Sequence, residues 1–355
     1  MKLNVCILFG GVSPEHEVSL RSVQSVLNNL DPEKYHVLPV GITKQGKWIL
    51  YGGTDYSLIA DGQWEQFPEN RDAVISPVRG QGLLVCNADG MESIAIDVVF
   101  PVLHGENGED GSVQGLMQLA GIPCVGPDVA ASAVSMDKTL TKLVMDNAGI
   151  PQAQWVLVRS NELSAHKELV LDRIEQQFSY PVFVKPAGTG SSVGVSKAID
   201  RQTLDEALLC AGKYDEKILV EEFIDGKEVE VAVMGNDTPV ASVCGEIDSG
   251  AEFYDYEAKY ITDTSVAYIP ARISEETAEQ VREYAVKAYK ALDCSGLSRV
   301  DFFVTHKDNR IVFNEINTLP GFTSISMFPK LFAASGIPYG QLIDELLCLA
   351  LERGK

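Results

Sequence analysis

Short apolar runs alternate with segments of helical periodicity along the first hundred residues. Residues 4–9, 37–42 and 94–103 are mostly apolar, which is typical of strands buried on both faces. A helix is predicted between the first two runs, with Ser13 as its N-cap, Pro14 at N1 and Glu15 in its first turn. Because strands alternate with helices, this part predicts an open parallel α/β sheet, whose ligands lie beyond the carboxyl ends of its strands.

The pattern changes after a helix predicted over 137–148, which Gly149 and Pro151 end. Apolar runs at 181–185, 193–198, 217–223 and 228–234 predict strands, and 249–268 is polar and aromatic. Ser274 then caps a helix whose apolar positions follow a spacing of three and four. The stop signal at 149–151 suits a domain boundary.

A loop of small residues, Gly188-Thr189-Gly190-Ser191-Ser192, lies between two of these strands. Walker A and Rossmann loops are followed by a helix, and neither glycine spacing is present. Two interpretations stay open for the loop by itself. It is a flap whose amides and hydroxyls cover a triphosphate, or an ordinary hairpin turn.

A second candidate lies at residues 301–317, where two alternating segments flank a polar turn. A three-residue loop at 307–309 would place Asp301 directly opposite Glu315, with Asn317 on the same face. Two adjacent carboxylates repel unless a proton or a cation lies between them, and an all-oxygen set suits Mg²⁺. The alternative is a solvated hairpin face, but Phe303 and Phe313 share the predicted face and indicate burial.

Lysines near these segments are candidate phosphate ligands. Lys185 ends a buried run just before the glycine loop, which places it well for phosphate. Lys138 opens a helix and Lys259 lies in the aromatic segment; each by itself is a typical surface lysine.

Charge and length limit the classes of partner and the number of domains that the chain can have. The 355 residues include 29 Lys+Arg and 50 Asp+Glu, a formal net charge of −21, which argues against nucleic acid and anionic membrane surfaces as partners. This length predicts two or three domains. Seven scattered cysteines predict reduced thiols. With neither a signal peptide nor a membrane span in the sequence, we expect a cytoplasmic protein.

Seven segments together resemble the D-alanine–D-alanine ligases of the ATP-grasp superfamily: LFGGVSPEHEVSL, VFPVLHGENGEDGSVQG, MDK, VKPAGTGSSVGVSK, EFYDYEAKY, SRVDFF and NEINTLPGFTS. The resemblance implies a mixed α/β fold. It comprises an N-terminal Rossmann-like domain (1–134) and two α+β ATP-grasp subdomains, a central one with the glycine loop (135–220) and a C-terminal one with a lid and the magnesium site (221–355).

The resemblance also implies a reaction and its residues. ATP phosphorylates one D-alanine, and a second D-alanine attacks the acyl phosphate to form the dipeptide for peptidoglycan precursors. Two Mg²⁺ ions, or Mn²⁺ in their place, would assist this reaction by binding the phosphates of ATP. The implied catalytic residues are Glu15, Ser191, Tyr260, Arg299 and Gly321. The implied substrate contacts are Glu15, His104, Arg299, Ser326 and Met327. The implied nucleotide contacts are Lys138, Lys185, Ser191, Ser192, Glu221, Glu222, Glu228 and Lys259. The implied metal ligands are Asp301, Glu315 and Asn317.

Two positions depart from the family pattern and several alternatives remain. Glu222 stands where the family often has Lys, and Ile325 where a polar residue is frequent. A D-alanine–D-serine or D-alanine–D-lactate ligase is the alternative within the family, although Met327 and Tyr260 favour D-alanine. Outside it stand a nicotinamide dehydrogenase and a catalytically silent nucleotide-binding regulator. A homodimer is expected from the resemblance only.

Overall fold

The computed structural model describes residues 2–190, 193–248 and 266–354. The first sheet has seven strands in the order β6-β5-β4-β3-β2-β1-β7. They are β1 (Leu3–Gly10), β2 (Tyr35–Ile42), β3 (Trp48–Leu50), β4 (Arg71–Ile75), β5 (Leu83–Asn87), β6 (Gly90–Ile94) and β7 (Val98–Leu103). β1 pairs in parallel with β2 and β7, as the alternation predicts, and antiparallel pairing adds β3 to β6.

The run 94–103 is not the single strand that its apolar pattern predicts. β6 ends at Ile94 and pairs with β5, whereas β7 begins at Val98 and pairs with β1. Between them the Asp97 carboxylate accepts a hydrogen bond of 2.7 Å from the Asn4 amide, which fixes the turn between the two strands. β6 itself has no apolar pattern to detect because it is almost entirely exposed.

The second sheet has four antiparallel strands in the order β10-β9-β11-β8. They are β8 (Trp155–Arg159), β9 (Val182–Pro186), β10 (Ser196–Ala198) and β11 (Lys217–Glu222). The third sheet is also antiparallel, in the order β15-β14-β12-β16-β17, with β13 on β12. Its strands are β12 (Gly226–Gly235), β13 (Val240–Ala241), β14 (Gly245–Asp248), β15 (Val266–Tyr268), β16 (Gly296–Thr305) and β17 (Ile311–Asn317).

Helices cover these sheets. Those in the described ranges are α1 (His16–Asn29), α2 (Ser57–Ala60), α3 (Ser112–Ala120), α4 (Val129–Met136), α5 (Lys138–Ala148), α6 (Ser160–Gln177), α7 (Arg201–Ala211), α8 (Glu275–Ala291), α9 (Met327–Ala334) and α10 (Tyr339–Arg353), with a 3-10 helix at Trp64–Gln66. None of them combines the length and apolar character that a membrane span requires.

The core forms where one face of each helix meets a sheet. In the first sheet, Ile7 of β1 packs with α1 and α10, while Leu8 belongs to a separate cluster with α3, so β1 is buried on both faces. Helices α6 and α7 pack on one face of the second sheet, and α8 packs on one face of the third. On the opposite face of the third sheet, Ala232 and Met234 of β12 belong to the cluster of β1 and α1, whereas Glu228 and Glu230 of the same strand make the rest of that face polar.

Helix α1 begins later than the sequence predicts. Its first residue is His16, and Glu15 occupies the N-cap position. The hydroxyl of Ser13 accepts a hydrogen bond of 3.1 Å from the Glu15 amide and forms a turn before the helix instead of capping it. Glu15 is therefore held at the carboxyl end of β1.

The division at residues 134/135 and 220/221 remains a prediction. Both points fall inside an element, α4 and β11 respectively. The C-terminal helices α9 and α10 contribute to the same buried cluster as β1 and α1, so the last part of the chain packs against the first sheet.

We expect Gly41→Ala to destabilise the fold. A Cβ at Gly41 in β2 would lie 2.3 Å from Trp64 and 2.7 Å from Phe9, both fully buried. Overpacking of this kind costs about 1–3 kcal/mol of the free energy of unfolding, which urea titration measures. Gly115→Ala in helix α3 is the control, because the nearest neighbour of its Cβ would be Val129, at 3.8 Å. Equal stability of both variants would contradict this packing.

Candidate active site

A cleft of about 1410 Å³ lies between the polar faces of the second and third sheets and the carboxyl end of the first. This is larger than the ~300–1,000 Å³ of typical small-molecule pockets, so it has room for more than one ligand. It brings together every predicted site residue that the structure describes: Glu15, His104, Lys138, Lys185, Glu221, Glu222, Glu228, Arg299, Asp301, Glu315, Asn317, Gly321, Ser326 and Met327. Ser191, Ser192, Lys259 and Tyr260 lie outside the described residues.

The predicted pair of carboxylates forms on the hairpin of β16 and β17. Asp301 lies opposite Glu315, and Asn317 pairs with Arg299 two residues further along. The side-chain amide of Asn317 donates a hydrogen bond of 3.0 Å to Asp301 Oδ2. Two carboxylates and an amide therefore converge at one end of the hairpin.

The rest of the hairpin differs from the prediction. The register shifts between Asp301 and Phe302, so Phe302, not Phe303, pairs with Phe313. Phe302 and Phe313 pack edge to face in the buried cluster under α8, whereas Phe303 is outside that cluster and lines the cleft. The expectation that Phe303 and Phe313 share a face is wrong because a bulge reverses the alternation. The turn is one residue longer than predicted, which compensates for the bulge and preserves the Asp301–Glu315 pairing.

This donor set fits a hard divalent cation. Among the described residues no three His, Cys, Asp or Glu side chains form a metal cluster by themselves. Mg²⁺ is usually held by one or two carboxylates together with substrate phosphates, and Asp301, Glu315 and Asn317 offer oxygen ligands of that kind.

Arg299 is fixed in the cleft by two acids. Its guanidinium makes a bidentate pair with Asp301, at 2.8 and 2.7 Å, and lies 3.1 Å from Glu230 Oε2. Burial opposes the charge, but Asp301 and Glu230 outweigh it and hold the pKa of Arg299 well above its ordinary value. A permanent cation with a fixed orientation stands in the cleft, suited to an anionic substrate group.

The second sheet contributes a buried ion cluster. Glu221 at the end of β11 has one oxygen 2.5 Å from the Lys142 ammonium and the other 2.6 Å from Lys185. Burial raises the pKa of Glu221, but the two lysines outweigh it and bring that pKa to about 2. Lys142 is absent from the sequence-based predictions, although it follows Lys138 by one helical turn and so shares its face of α5.

The strands around Glu221 place two further acids in the cleft. The side chain of Glu222 accepts a hydrogen bond of 2.9 Å from the Gln154 amide, and the Glu222 amide donates one of 3.1 Å to the Gln154 carbonyl. Glu222 is therefore tied to the backbone before β8. Glu228 of β12 pairs in register with Phe303 and Ile247 and lines the cleft beside them.

The described part of the glycine loop is anchored at both sides. The Gly188 amide donates a hydrogen bond of 2.6 Å to Asp215 Oδ2, and the Lys138 ammonium donates one of 2.5 Å to the Thr189 carbonyl. A Cβ at Gly190 would lie 3.1 Å from Glu15 Oε2, so the loop reaches the end of the first sheet. Lys138 and Glu15 thus both lie against the glycine loop.

Glu15, His104 and Glu109 gather at the carboxyl ends of β1 and β7. The His104 ring contacts the Leu319 carbonyl at 3.1 Å and the Ser22 hydroxyl at 3.3 Å. Gly105 has φ +68°, and a Cβ there would lie 2.7 Å from Glu15 Oε2, so this close approach requires glycine. Burial lowers the pKa of His104, although the charge of Glu15 opposes this shift, so burial disfavours the charged form of the ring.

Glu109 is a site residue that the sequence-based predictions do not include. It lines the cleft, and its carboxyl group accepts a hydrogen bond of 2.6 Å from the Gly105 amide. Burial, and then the charge of Glu15, raise the pKa of Glu109 to about 8. Glu109 lies in the segment HGENGEDG, which the family resemblance includes. Its proximity to Glu15, however, arises only in the folded chain.

Gly321, Ser326 and Met327 shape the end of the cleft before α9. Ser326 precedes the helix, and its hydroxyl accepts a hydrogen bond of 3.0 Å from the Thr323 amide. Gly321 lines the cleft, and a Cβ there would lie 2.8 Å from that hydroxyl, so this close approach favours a residue without a side chain. Met327 is buried, whereas Ile325 is mostly exposed.

Known proteins of similar sequence are ligases. The family models described as "D-ala D-ala ligase N-terminus" and "D-ala D-ala ligase C-terminus" match residues 4–127 and 144–348. The chain is 54% identical to the D-alanine–D-alanine ligase of Acetivibrio thermocellus, over 99% of this chain and 96% of that protein. It is 53% identical to that of Caldicellulosiruptor bescii, over 100% and 96%.

Solved structures agree in fold. The VanG D-Ala:D-Ser ligase from Enterococcus faecalis superposes with a TM-score of 0.90 at 40% identity, covering 99% of this chain and 100% of that one. The D-alanine–D-alanine ligase from Coxiella burnetii superposes with a TM-score of 0.83 at 35% identity, covering 99% and 96%.

The raised pKa of Glu109 predicts a pH dependence of stability. The folded chain keeps this proton up to about pH 8, whereas the unfolded chain releases it near pH 4.5. The contribution of the Glu109 proton to the free energy of unfolding is therefore complete below pH 4.5. It is lost as the pH rises to 8, at up to about 1.4 kcal/mol per pH unit. Glu109→Gln cannot lose a proton and is the matched reference. Urea titrations from pH 5 to 8 should show wild-type stability falling relative to this variant; parallel profiles would contradict the assignment.

Proposed function

The chain belongs to the D-alanine–D-alanine ligase family, and we propose, from the geometry of its cleft, which of its residues perform the reaction. The protein is an ATP-dependent ligase that joins two D-alanine molecules and releases ADP and phosphate, and its product serves peptidoglycan synthesis. Its mixed α/β architecture is that of the ATP-grasp fold. Family membership sets aside the dehydrogenase and the silent regulator.

The observation that carries the proposal is the convergence of three kinds of group in one cleft. Lys185 of the second sheet and Lys138 of helix α5 line the same cleft as the carboxylate pair on the third sheet, and Arg299 lies beside that pair. A triphosphate needs the cations and the metal ligands, and a carboxylate substrate needs the arginine.

Nucleotide binding is assigned to the second sheet and its loop. Lys138 and Lys185 hold the phosphates together with the glycine loop, where Ser191 and Ser192 would add hydroxyl donors. Glu221, Glu222 and Glu228 line the part of the cleft proposed for adenine and ribose, and Lys259 is proposed as a further phosphate contact. Asp301, Glu315 and Asn317 are proposed as ligands of two Mg²⁺ ions, for which Mn²⁺ could substitute. When bound, this metal neutralises charge on the phosphate oxygens.

The first D-alanine binds beside the first sheet. Its ammonium group pairs with the Glu15 carboxylate, and its carboxylate faces Arg299. A carboxylate oxygen attacks the γ-phosphorus, the bond to the β–γ bridging oxygen breaks, and ADP leaves. Glu15 is assigned the role of pairing with the ammonium group because it lies at the carboxyl end of β1 and lines the cleft, and burial raises the pKa of the neighbouring Glu109 to about 8.

The second D-alanine binds before α9. Its carboxylate is held by Ser326 and the amide of Met327, at the amino end of that helix. Its amine attacks the acyl carbon, and phosphate leaves from a tetrahedral intermediate. Arg299 and the amide of Gly321 stabilise the negative oxygen. Tyr260, with Ser191 and Glu15, is proposed to close the site against water, which would hydrolyse an acyl phosphate.

Three finer features rest on the family resemblance. We propose that the protein acts in the cytoplasm, that it forms a homodimer, and that its second site prefers D-alanine. The last is supported by the buried Met327 at the start of α9.

We expect the purified protein to release phosphate from ATP only when D-alanine is present. Mass spectrometry should identify D-alanyl-D-alanine as the main product when D-serine and D-lactate compete at equal concentration. A mainly mixed product would assign the chain to the alternative within the family, and phosphate release that does not depend on D-alanine would contradict the proposed function.

Asp301→Asn and Glu315→Gln should each lower kcat at least 100-fold at ordinary Mg²⁺ concentration, because each removes an anionic oxygen ligand. Steady-state assays over a range of Mg²⁺ concentrations measure this. Asp308→Asn, in the turn of the same hairpin, is the control and should retain activity. Near-normal turnover in both site variants would refute the metal site.

A further inference from the structure

Lys142 is a buried lysine to which the reaction above assigns no role. It lies on α5 one turn after Lys138, and 2% of its side chain is exposed. Its ammonium lies 2.5 Å from Glu221 Oε1, while Lys185 lies 2.6 Å from Glu221 Oε2. A fully buried lysine is rare unless it is paired, so Glu221 accounts for its presence there.

The two lysines on Glu221 differ in what else they can reach. Lys185 lines the cleft, is 17% exposed and has its ammonium 3.4 Å from Asn314 Oδ1 of the third sheet. Lys142 is enclosed behind Glu221 and is not among the residues that line the cleft. A nucleotide in the cleft can therefore recruit Lys185 but cannot recruit Lys142.

Recruitment of Lys185 has an electrostatic consequence for Glu221. An ionised carboxylate that is buried without a counter-ion is strongly disfavoured. When Lys185 turns toward the phosphates, Glu221 keeps a cationic partner because Lys142 stays behind it. Without Lys142, the phosphates and Glu221 would compete for the same ammonium group.

We propose that Lys142 is a positioning residue, the fixed counter-ion that holds Glu221 in place while Lys185 exchanges Glu221 for the nucleotide phosphates. The inference rests on the proposed function, since it takes the cleft to bind ATP. It explains why one carboxylate has two lysines, of which only one faces the cleft.

Nucleotide binding without turnover tests this role. Lys142→Met keeps the length of the side chain and removes its charge. Calorimetric titration with ADP and Mg²⁺ should show at least tenfold weaker binding than in the wild type. In steady-state assays the KM for ATP should rise while the KM for D-alanine stays within about twofold. Lys167→Met is the matched control, because Lys167 pairs with Asp205 on the surface away from the cleft, and its affinity for ADP should be unchanged.

Proton uptake separates this role from a merely structural one. Glu221 faces Lys142 from α5 and Lys185 from β9, and Lys185 in turn faces Glu315 from β17 and Glu228 from β12. In Lys142→Met, nucleotide binding removes the remaining cation from Glu221, so the carboxylate binds a proton. ADP binding should therefore take up protons in this variant and weaken as the pH rises. Titrations in buffers of different ionisation enthalpy measure that uptake, and we expect none from Glu221 in the wild type.

A comparison of two further variants covers the case in which Lys142→Met does not fold. The double variant Lys142→Met, Glu221→Gln removes both charges of the Lys142–Glu221 pair and keeps Lys185, so it should bind ADP as Glu221→Gln does, within about threefold. Folded Lys142→Met with wild-type affinity and no extra proton uptake would overturn the proposal. So would a double variant that binds at least tenfold more weakly than Glu221→Gln. The wild type must bind ADP for either comparison, and failure of D-alanine-dependent turnover would count against the proposed function instead.

Discussion

One buried carboxylate, Glu221, connects the parts of the molecule that form the cleft. It stands at the end of β11 in the second sheet and pairs with Lys142 of α5 and Lys185 of β9. Lys185 also contacts Asn314 of β17, so the chain of polar contacts reaches the third sheet. Because these groups lie away from bulk water, removing one partner of Glu221 without replacing it is costly, and the carboxylate is held in one position.

Local ion pairs of this kind also explain how a chain with a large negative charge binds an anionic substrate. A net charge of −21 cannot attract ATP over long distances. Inside the cleft, carboxylates hold both Lys185 and Arg299 in place. Lys185 is proposed to exchange Glu221 for a phosphate, whereas Arg299 faces the substrate carboxylate from its fixed position. Fields from the outer surface are screened beyond about 8–10 Å, so these short contacts dominate. The acidity of the whole chain therefore does not oppose the chemistry of its site.

Particular residues show what can be predicted from the sequence and what cannot. Alternation along two strands correctly predicts that Asp301 faces Glu315, because side chains along a strand alternate between its two faces. It wrongly predicts the partner of Phe313, because a bulge and a longer turn offset each other and neither has a signal in the sequence. Lys142 and Glu109 escape prediction for a different reason. Their importance comes from burial beside Glu221 and Glu15, which only the assembled fold brings about. The roles of the site residues carried over from the family motifs, those of Ser191 and Tyr260 included, stay predictions.

The central claim is that the cleft works by exchanging ion pairs around a fixed carboxylate. A crystal structure of the protein with ADP and Mg²⁺ tests it most directly. The account predicts that the Lys142 ammonium stays within hydrogen-bonding distance of Glu221, while the Lys185 ammonium leaves Glu221 and contacts a phosphate oxygen. A structure in which the nucleotide is bound and Lys185 remains on Glu221, or Lys142 leaves it, would contradict the account.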